Sequence, residues 1–191
     1  MRIVGGRFRG RLLAAPGEAG GGEAALRPTS DRVREALFNL LAHGGYGEPA
    51  PPEGRRVLDL FAGTGALGLE ALSRGAVRVQ FVDDLAAARA LIRENVEKLG
   101  VIGETKLYRR DATRLGPCRG ESHDLVFLDP PYGRGLGERA LAAAREGGWL
   151  VPGALAVWEE AADAPVTLPE GAALLDERRY GDTVIRILRL P

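Results

Sequence analysis

The most explicit chemistry in this chain lies in Asp129, Pro130, Pro131 and Tyr132, which follow the apolar run HDLVFL at 123–128. Neither proline has a backbone N–H to donate, so the pair cannot extend a sheet and must stop the preceding strand. The stop leaves an acid, a rigid turn and an aromatic ring side by side. A carboxylate and a proline carbonyl both accept hydrogen bonds, and the ring is a stacking surface. Such a set suits a planar group bearing an amine, as on a nucleobase. That amine is a poor nucleophile, because its lone pair is delocalised into the ring. Acceptors at Asp129 and Pro130 would orient it and stabilise the positive charge that grows on nitrogen during attack. Pro131 stiffens the turn, and Tyr132 offers a face to a base drawn from its stack. Neither a metal nor a covalent nucleophile is required.

A second constellation is VLDLFAGTGALG (57–68), with Gly63, Gly65 and Gly68 in G-x-G-x-x-G spacing between an apolar run and a helical pattern. Glycines there permit a tight turn and a close ligand approach, and the next helix presents unpaired N–H groups. Asp83 ends the following apolar run twenty residues after Gly63, where an acid can bind the hydroxyls of a ribose. Asp84 competes for that role, with Asp83 preferred. The loop therefore reads as a nucleoside site. Asp59, four residues before Gly63, opposes a diphosphate and suits a cationic ligand. A nicotinamide dinucleotide would leave both Asp59 and the 129–132 turn unexplained.

The elements that must position these groups alternate in type. Apolar runs at 56–61, 77–82, 105–110, 123–129 and 153–160 read as strands; helical patterns fall at 66–75, 85–100 and 137–148. This alternation predicts an α/β doubly wound, mostly parallel sheet covered by right-handed crossovers. Segments 172–180 and 183–190, joined by Gly-Asp, predict a terminal antiparallel hairpin. Upstream, residues 27–45 form a punctuated helix: Thr29 or Ser30 can cap it, Gly44 ends it, and Val33, Leu37, Leu40 and Leu41 share a face. Residues 2–16 suggest a small β-hairpin with GGRFRG at its tip, and 17–25 a loop. The expected division is an N-terminal hairpin and loop over 1–26 and one larger domain over 27–191.

Composition sets outer limits. The 191 residues carry formal net charge +0, so no global basicity announces nucleic acid. Locally, residues 1–34 hold seven arginines against Glu18, Glu23 and Asp31, an excess of four. A basic arm of this kind can grip phosphates. The single cysteine, Cys118, excludes an internal disulfide and fits a reducing cytoplasm. Two histidines, His43 and His123, are too few for most metal sites, and no apolar run is long enough to cross a membrane. Trp149 and Trp158 sit beside apolar strand pattern and belong to the core or its rim.

DLFAGTGALGLEAL resembles the cofactor signature of S-adenosylmethionine-dependent methyltransferases, and Asp-Pro-Pro-Tyr resembles the (Asn/Asp/Ser)-Pro-Pro-aromatic motif of those acting on amines. RIVGGRFRGRLL, RPTSDRVREALFNLL, VLDLFAGTGALGLEALSRGA and DLVFLDPPY together resemble the bacterial family that methylates N2 of one guanine in small-subunit (16S) ribosomal RNA. FVDDLAAA departs from that family, which commonly has one acid there. The resemblance implies a Rossmann-like methyltransferase fold that uses S-adenosyl-L-methionine and modifies ribosomal RNA in the cytoplasm. It implies that Asp59, Ala62, Gly63, Thr64, Gly65, Asp83 or Asp84, Asp111 and Ala112 bind the cofactor. Asp111, in RRDAT, would meet the adenine amino group. Arg7, Arg9 and Arg11 would contact RNA phosphates, with Arg27 and Arg34 near the site entrance. No metal or membrane partner is implied, and nothing demands more than a monomer. The alternatives are amino-methylation of DNA adenine or protein glutamine, and a non-catalytic RNA-binding assembly factor.

Overall fold

Apolar runs and helical patterns wind into a single mixed sheet, described for residues 1–16 and 30–191 of the computed structural model. In chain order the elements are α1 (Asp31–His43), β1 (Arg56–Leu60), α2 (Ala66–Ser73), β2 (Arg78–Val82), α3 (Ala86–Leu99), β3 (Thr105–Tyr108), β4 (His123–Leu128), α4 (Leu136–Glu146), β5 (Leu150–Ala161), β6 (Ala173–Tyr180) and β7 (Thr183–Arg189). The strands lie in the order β3-β2-β1-β4-β5-β7-β6. β1 to β5 run parallel to one another, and β7 pairs antiparallel with both β5 and β6. The winding direction reverses between β1 and β4, which leaves a crevice beyond their carboxyl ends.

Each strand and helix predicted from residue 27 onward is present, with shifts at the ends. β3 stops at Tyr108 rather than 110. β5 starts at Leu150 rather than 153, because its register against β4 slips between His123 and Leu125 and so absorbs Pro152 and Gly153. Two apolar layers cover the sheet. One joins α1, α2 and α3 to Val57, Phe81 and Phe127; the other joins α4 to Leu58, Val126 and both tryptophans. Trp149 and Trp158 are fully buried, so they are core rather than rim.

The cap of α1 is Ser30, whose Oγ accepts the Val33 N–H at 3.3 Å, and the Gly44 N–H closes the helix on the Leu40 carbonyl. Thr29 and the loop at 17–25 lie outside the described residues. The face that packs is Arg34, Leu37, Phe38 and Leu41, with Val33 and Leu40 only partly covered. This corrects the expectation for Arg34. Its side chain is wholly buried, paired with Asp31 at 2.8 Å and beside Glu70 at 3.6 Å, and it donates to the Arg2 carbonyl. A guanidinium spent inside the fold cannot reach an RNA phosphate. Glu70, buried on α2, also accepts from Arg74 Nε and from the Val4 N–H, both at 2.8 Å. One buried acid thus holds α1, α2 and the N-terminal arm, as a buried charge requires.

The arm itself folds back through Ile3 N–H to the Arg11 carbonyl (2.9 Å) and Leu13 N–H to the Met1 carbonyl (3.1 Å). Its pairing is a single bridge, Arg2 with Leu12, and its tip is a 3₁₀ turn over Gly6–Phe8, so the expected hairpin is a pinned loop rather than two strands. The pins are side chains of the body. Ser73 Oγ accepts the Phe8 N–H, and Asn95 accepts from and donates to Ala14.

Candidate active site

The turn after β1 is built from close packing. Gly63 and Gly65 take left-handed backbone angles, φ 56° and 76°, and Gly65 caps α2. A Cβ on Gly68 would collide with the Phe81 ring and Val79, so only glycine lets α2 lie this close to β2. Phe61 also has positive φ, at 58°, the only such non-glycine among the described residues. A left-handed phenylalanine costs about 1–2 kcal/mol, which the surrounding turn must supply.

Acids fix the turn. Asp83 Oδ2 accepts the Gly63 N–H at 2.8 Å and Oδ1 accepts the Leu85 N–H at 2.9 Å. Asp59 Oδ2 accepts the Gly68 N–H at 2.9 Å. Burial pushes the Asp59 carboxyl up to about 8, and the neighbouring Asp83 charge adds to the rise. Burial raises Asp83 as well. From the outer side, the fully buried Asn95 amide donates to the Thr64 carbonyl at 3.0 Å, which ties the turn to the Ala14 end of the arm.

β4 lies directly beside β1, with Leu60 opposite Leu128, so Asp129 emerges next to the glycine turn. Its own far neighbour, β5, pairs Leu128 with Trp158 and brings Glu159 and Glu160 alongside Asp129–Gly133. Glu159 accepts the Tyr132 hydroxyl at 2.7 Å, and Glu160 accepts the Gly133 N–H at 3.0 Å. Burial and the nearby carboxylates hold the Tyr132 phenol well above its ordinary value, so it stays protonated and donates. The residue remains 40% exposed.

These two walls enclose one cavity of about 640 Å³. Its lining includes Asp59, Phe61, Ala62, Gly63, Thr64, Asp83 and Asp84 on one side, and Asp129, Pro130, Pro131, Tyr132 and Arg134 on the other. Ser30 and Val33 of the α1 start, and Tyr180 and Thr183 of the last hairpin, close its ends. All four residues of the Asp-Pro-Pro-Tyr turn and most of the expected loop residues therefore meet.

Some expected residues do not join them. Gly65 shapes the turn without lining the cavity, and Ala112 is buried in the second apolar layer. Asp111 is exposed outside the lining and caps a 3₁₀ turn by accepting the Thr113 N–H at 2.8 Å and the Thr113 hydroxyl at 2.7 Å. On the arm, Arg7, Arg9 and Arg11 are all exposed, and Arg7 also pairs with Glu104 and stacks over Phe8 at 4.6 Å. Arg27 lies outside the described residues. Sequence reasoning missed Glu159, Glu160, Asn95, Phe61 and Arg134. Among the described residues no cluster of His, Cys, Asp and Glu is arranged to hold a metal, and no helix is long and apolar enough to cross a membrane.

A wound sheet closed by an antiparallel hairpin, with a glycine turn after the first strand and Asp-Pro-Pro-Tyr after the fourth, defines a Rossmann-like methyltransferase fold. Among solved structures, yhhF from Escherichia coli superposes with a TM-score of 0.80 at 34% identity, covering 100% of this chain and 97% of that one. TrmN from Thermus thermophilus superposes at 0.65 with 26% identity, covering 83% of this chain and 48% of its own. The chain belongs to the family described as conserved hypothetical protein 95, whose model matches residues 1–189. Its relatives include the Ribosomal RNA small subunit methyltransferase D of Escherichia coli K12, 39% identical over 189 residues, 98% of this chain and 88% of the relative. The Haemophilus influenzae protein of the same name is 35% identical over 190 residues, 98% and 92% of the two chains.

Proposed function

We propose that this protein transfers a methyl group from S-adenosyl-L-methionine to the exocyclic N2 amine of a guanine in small-subunit ribosomal RNA. The observation that carries the reading is that one cavity is walled by both the glycine turn and the Asp-Pro-Pro-Tyr turn. Relatives named for methylation of small-subunit ribosomal RNA supply the substrate class.

The residues present fit the cofactor. Asp59 is an acid whose carboxyl burial pushes up to about 8, with the Asp83 charge adding to the rise, and an ammonium group would relieve it. When bound, the cofactor supplies an electrophilic methyl on a sulfonium. Asp83 accepts one backbone N–H on each oxygen and keeps lone pairs for ribose hydroxyls, and Asp84, exposed on the same wall, is the alternative partner.

On the substrate side, Asp129 and the Pro130 carbonyl accept hydrogen bonds from the amine. They direct its lone pair inward and stabilise the charge that appears on nitrogen. Tyr132, held by Glu159, stacks on the extruded base, a contact worth about 1–3 kcal/mol. Holding the amine in a fixed position against a bound cofactor would remove roughly 7–11 kcal/mol of barrier. The testing experiment offers labelled cofactor to purified small subunits, naked ribosomal RNA, duplex DNA and protein. Label is expected in small-subunit RNA, and label confined to DNA or protein overturns the reading.

A further inference from the structure

The cavity has a one-sided charge distribution. Its described lining holds five acids, Asp59, Asp83, Asp84, Asp129 and Glu159, and a single basic residue, Arg134. Acids suit an amine and a cationic cofactor, but every nucleotide also carries a phosphate. A base rotated out of its stack leaves its own phosphates at the mouth, where carboxylates alone would repel them. We propose that Arg134 receives the backbone phosphate next to the nucleotide whose base enters the cavity, and so sets the register of the RNA against Asp129. The assignment rests on the functional reading above and deepens it.

Its placement is fixed by neighbours already described. Tyr132 and Gly133 are tied to Glu159 and Glu160 of β5, so the chain leaves the aromatic stacking surface at a set position and Arg134 follows immediately. Arg134 is exposed and pairs with no described residue. Among the described arginines expected to meet RNA, Arg34 is held by Asp31 and Glu70 inside the fold, and Arg7 pairs at the surface with Glu104. Arg9 and Arg11 are exposed on the arm but do not line the cavity, so they can add affinity without fixing the entering nucleotide. A guanidinium also suits the task better than an ammonium, because its planar fork meets two phosphate oxygens at once.

The test pairs protein and RNA changes. Arg134→Ala is expected to raise the KM for RNA about tenfold, to lower kcat far less, and to reduce the salt slope of RNA binding by about one unit. S-adenosylhomocysteine affinity should not change, and Arg134→Lys should recover only part of the loss. Once the methylated nucleotide is mapped, an RNA with one uncharged methylphosphonate linkage beside it should impair the wild type as much as Arg134→Ala does, and should not impair Arg134→Ala further. Unchanged KM and salt slope in Arg134→Ala, or penalties that add at every flanking linkage, overturn the assignment. A wild-type enzyme that places no methyl on small-subunit RNA overturns the functional reading, and the role of Arg134 falls with it.

Discussion

The two walls of the cavity are held in different ways. On the glycine side the bonds stay within one β1-α2-β2 unit and the turn that follows it: Asp83 holds Gly63 and Leu85, and Asp59 holds Gly68. Backbone amides satisfy these acids, so the wall is set once β1, β2 and α2 have packed. On the other side Tyr132 and Gly133 hang from side chains 27 residues further along, on β5. That wall exists only through the pairing of β4 with β5. The contrast teaches that cofactor binding and substrate grip can be damaged separately, although one cavity serves both.

Substitutions sharpen the comparison. Asp129→Ala should have the largest effect, lowering kcat by about 10²–10³-fold, as expected for a lost electrostatic partner of the transition state. Calorimetry should show unchanged affinity for S-adenosylhomocysteine; a joint loss would mean that the walls are not independent. Glu159→Leu removes the acceptor of the Tyr132 hydroxyl, leaving Thr183 at 3.4 Å. A loss of about tenfold in kcat/KM is expected, or about 1.4 kcal/mol. Glu159→Gln keeps an acceptor and should restore most of it, and equal losses in both variants would argue against the anchoring role.

The glycine wall has a pH signature. Asp59 titrates at about 8 in the fold against 3.8 as a free side chain. The native protein therefore keeps a proton that the unfolded chain has released. The stability this group contributes is complete below 3.8 and is lost as pH rises through about 8. Asp59→Asn cannot titrate, so its thermal midpoint should gain on the wild type as pH climbs from about 5 to about 8. Parallel profiles would mean that Asp59 is already ionised in the free fold. The smallest effect is expected outside both walls. Arg9→Ala should leave turnover at saturating RNA intact and reduce the salt slope of RNA binding by about one unit. Unaltered affinity and slope would remove the arm from the RNA interface.

Much of this arrangement is legible in the sequence because it is local. Glycine spacing, apolar strand runs and the double proline each act within a few residues, so the alternation of strands and helices, the glycine turn and Asp129 follow from them. What escaped was long-range. Glu159 and Glu160 read only as the polar end of a strand, since their partners depend on register with β4. Arg34 reads as a surface charge when Val33, Leu37, Leu40 and Leu41 define the packed face. The packed face is 34, 37, 38 and 41, a regular helical stripe with an arginine in it. A lone acid, Glu70, in the otherwise apolar α2 was the matching signal. Asp111 marks the opposite case: its motif position suggests a cofactor contact, while its carboxylate serves a turn.

The central claim is that an exocyclic amine is the group held at Asp129. Nuclease digestion of RNA methylated by the pure enzyme, followed by mass spectrometry of the nucleosides, tests it most directly. The account predicts N2-methylguanosine as the methylated product. A methyl found on a ring nitrogen, a ring carbon or a ribose oxygen would contradict it.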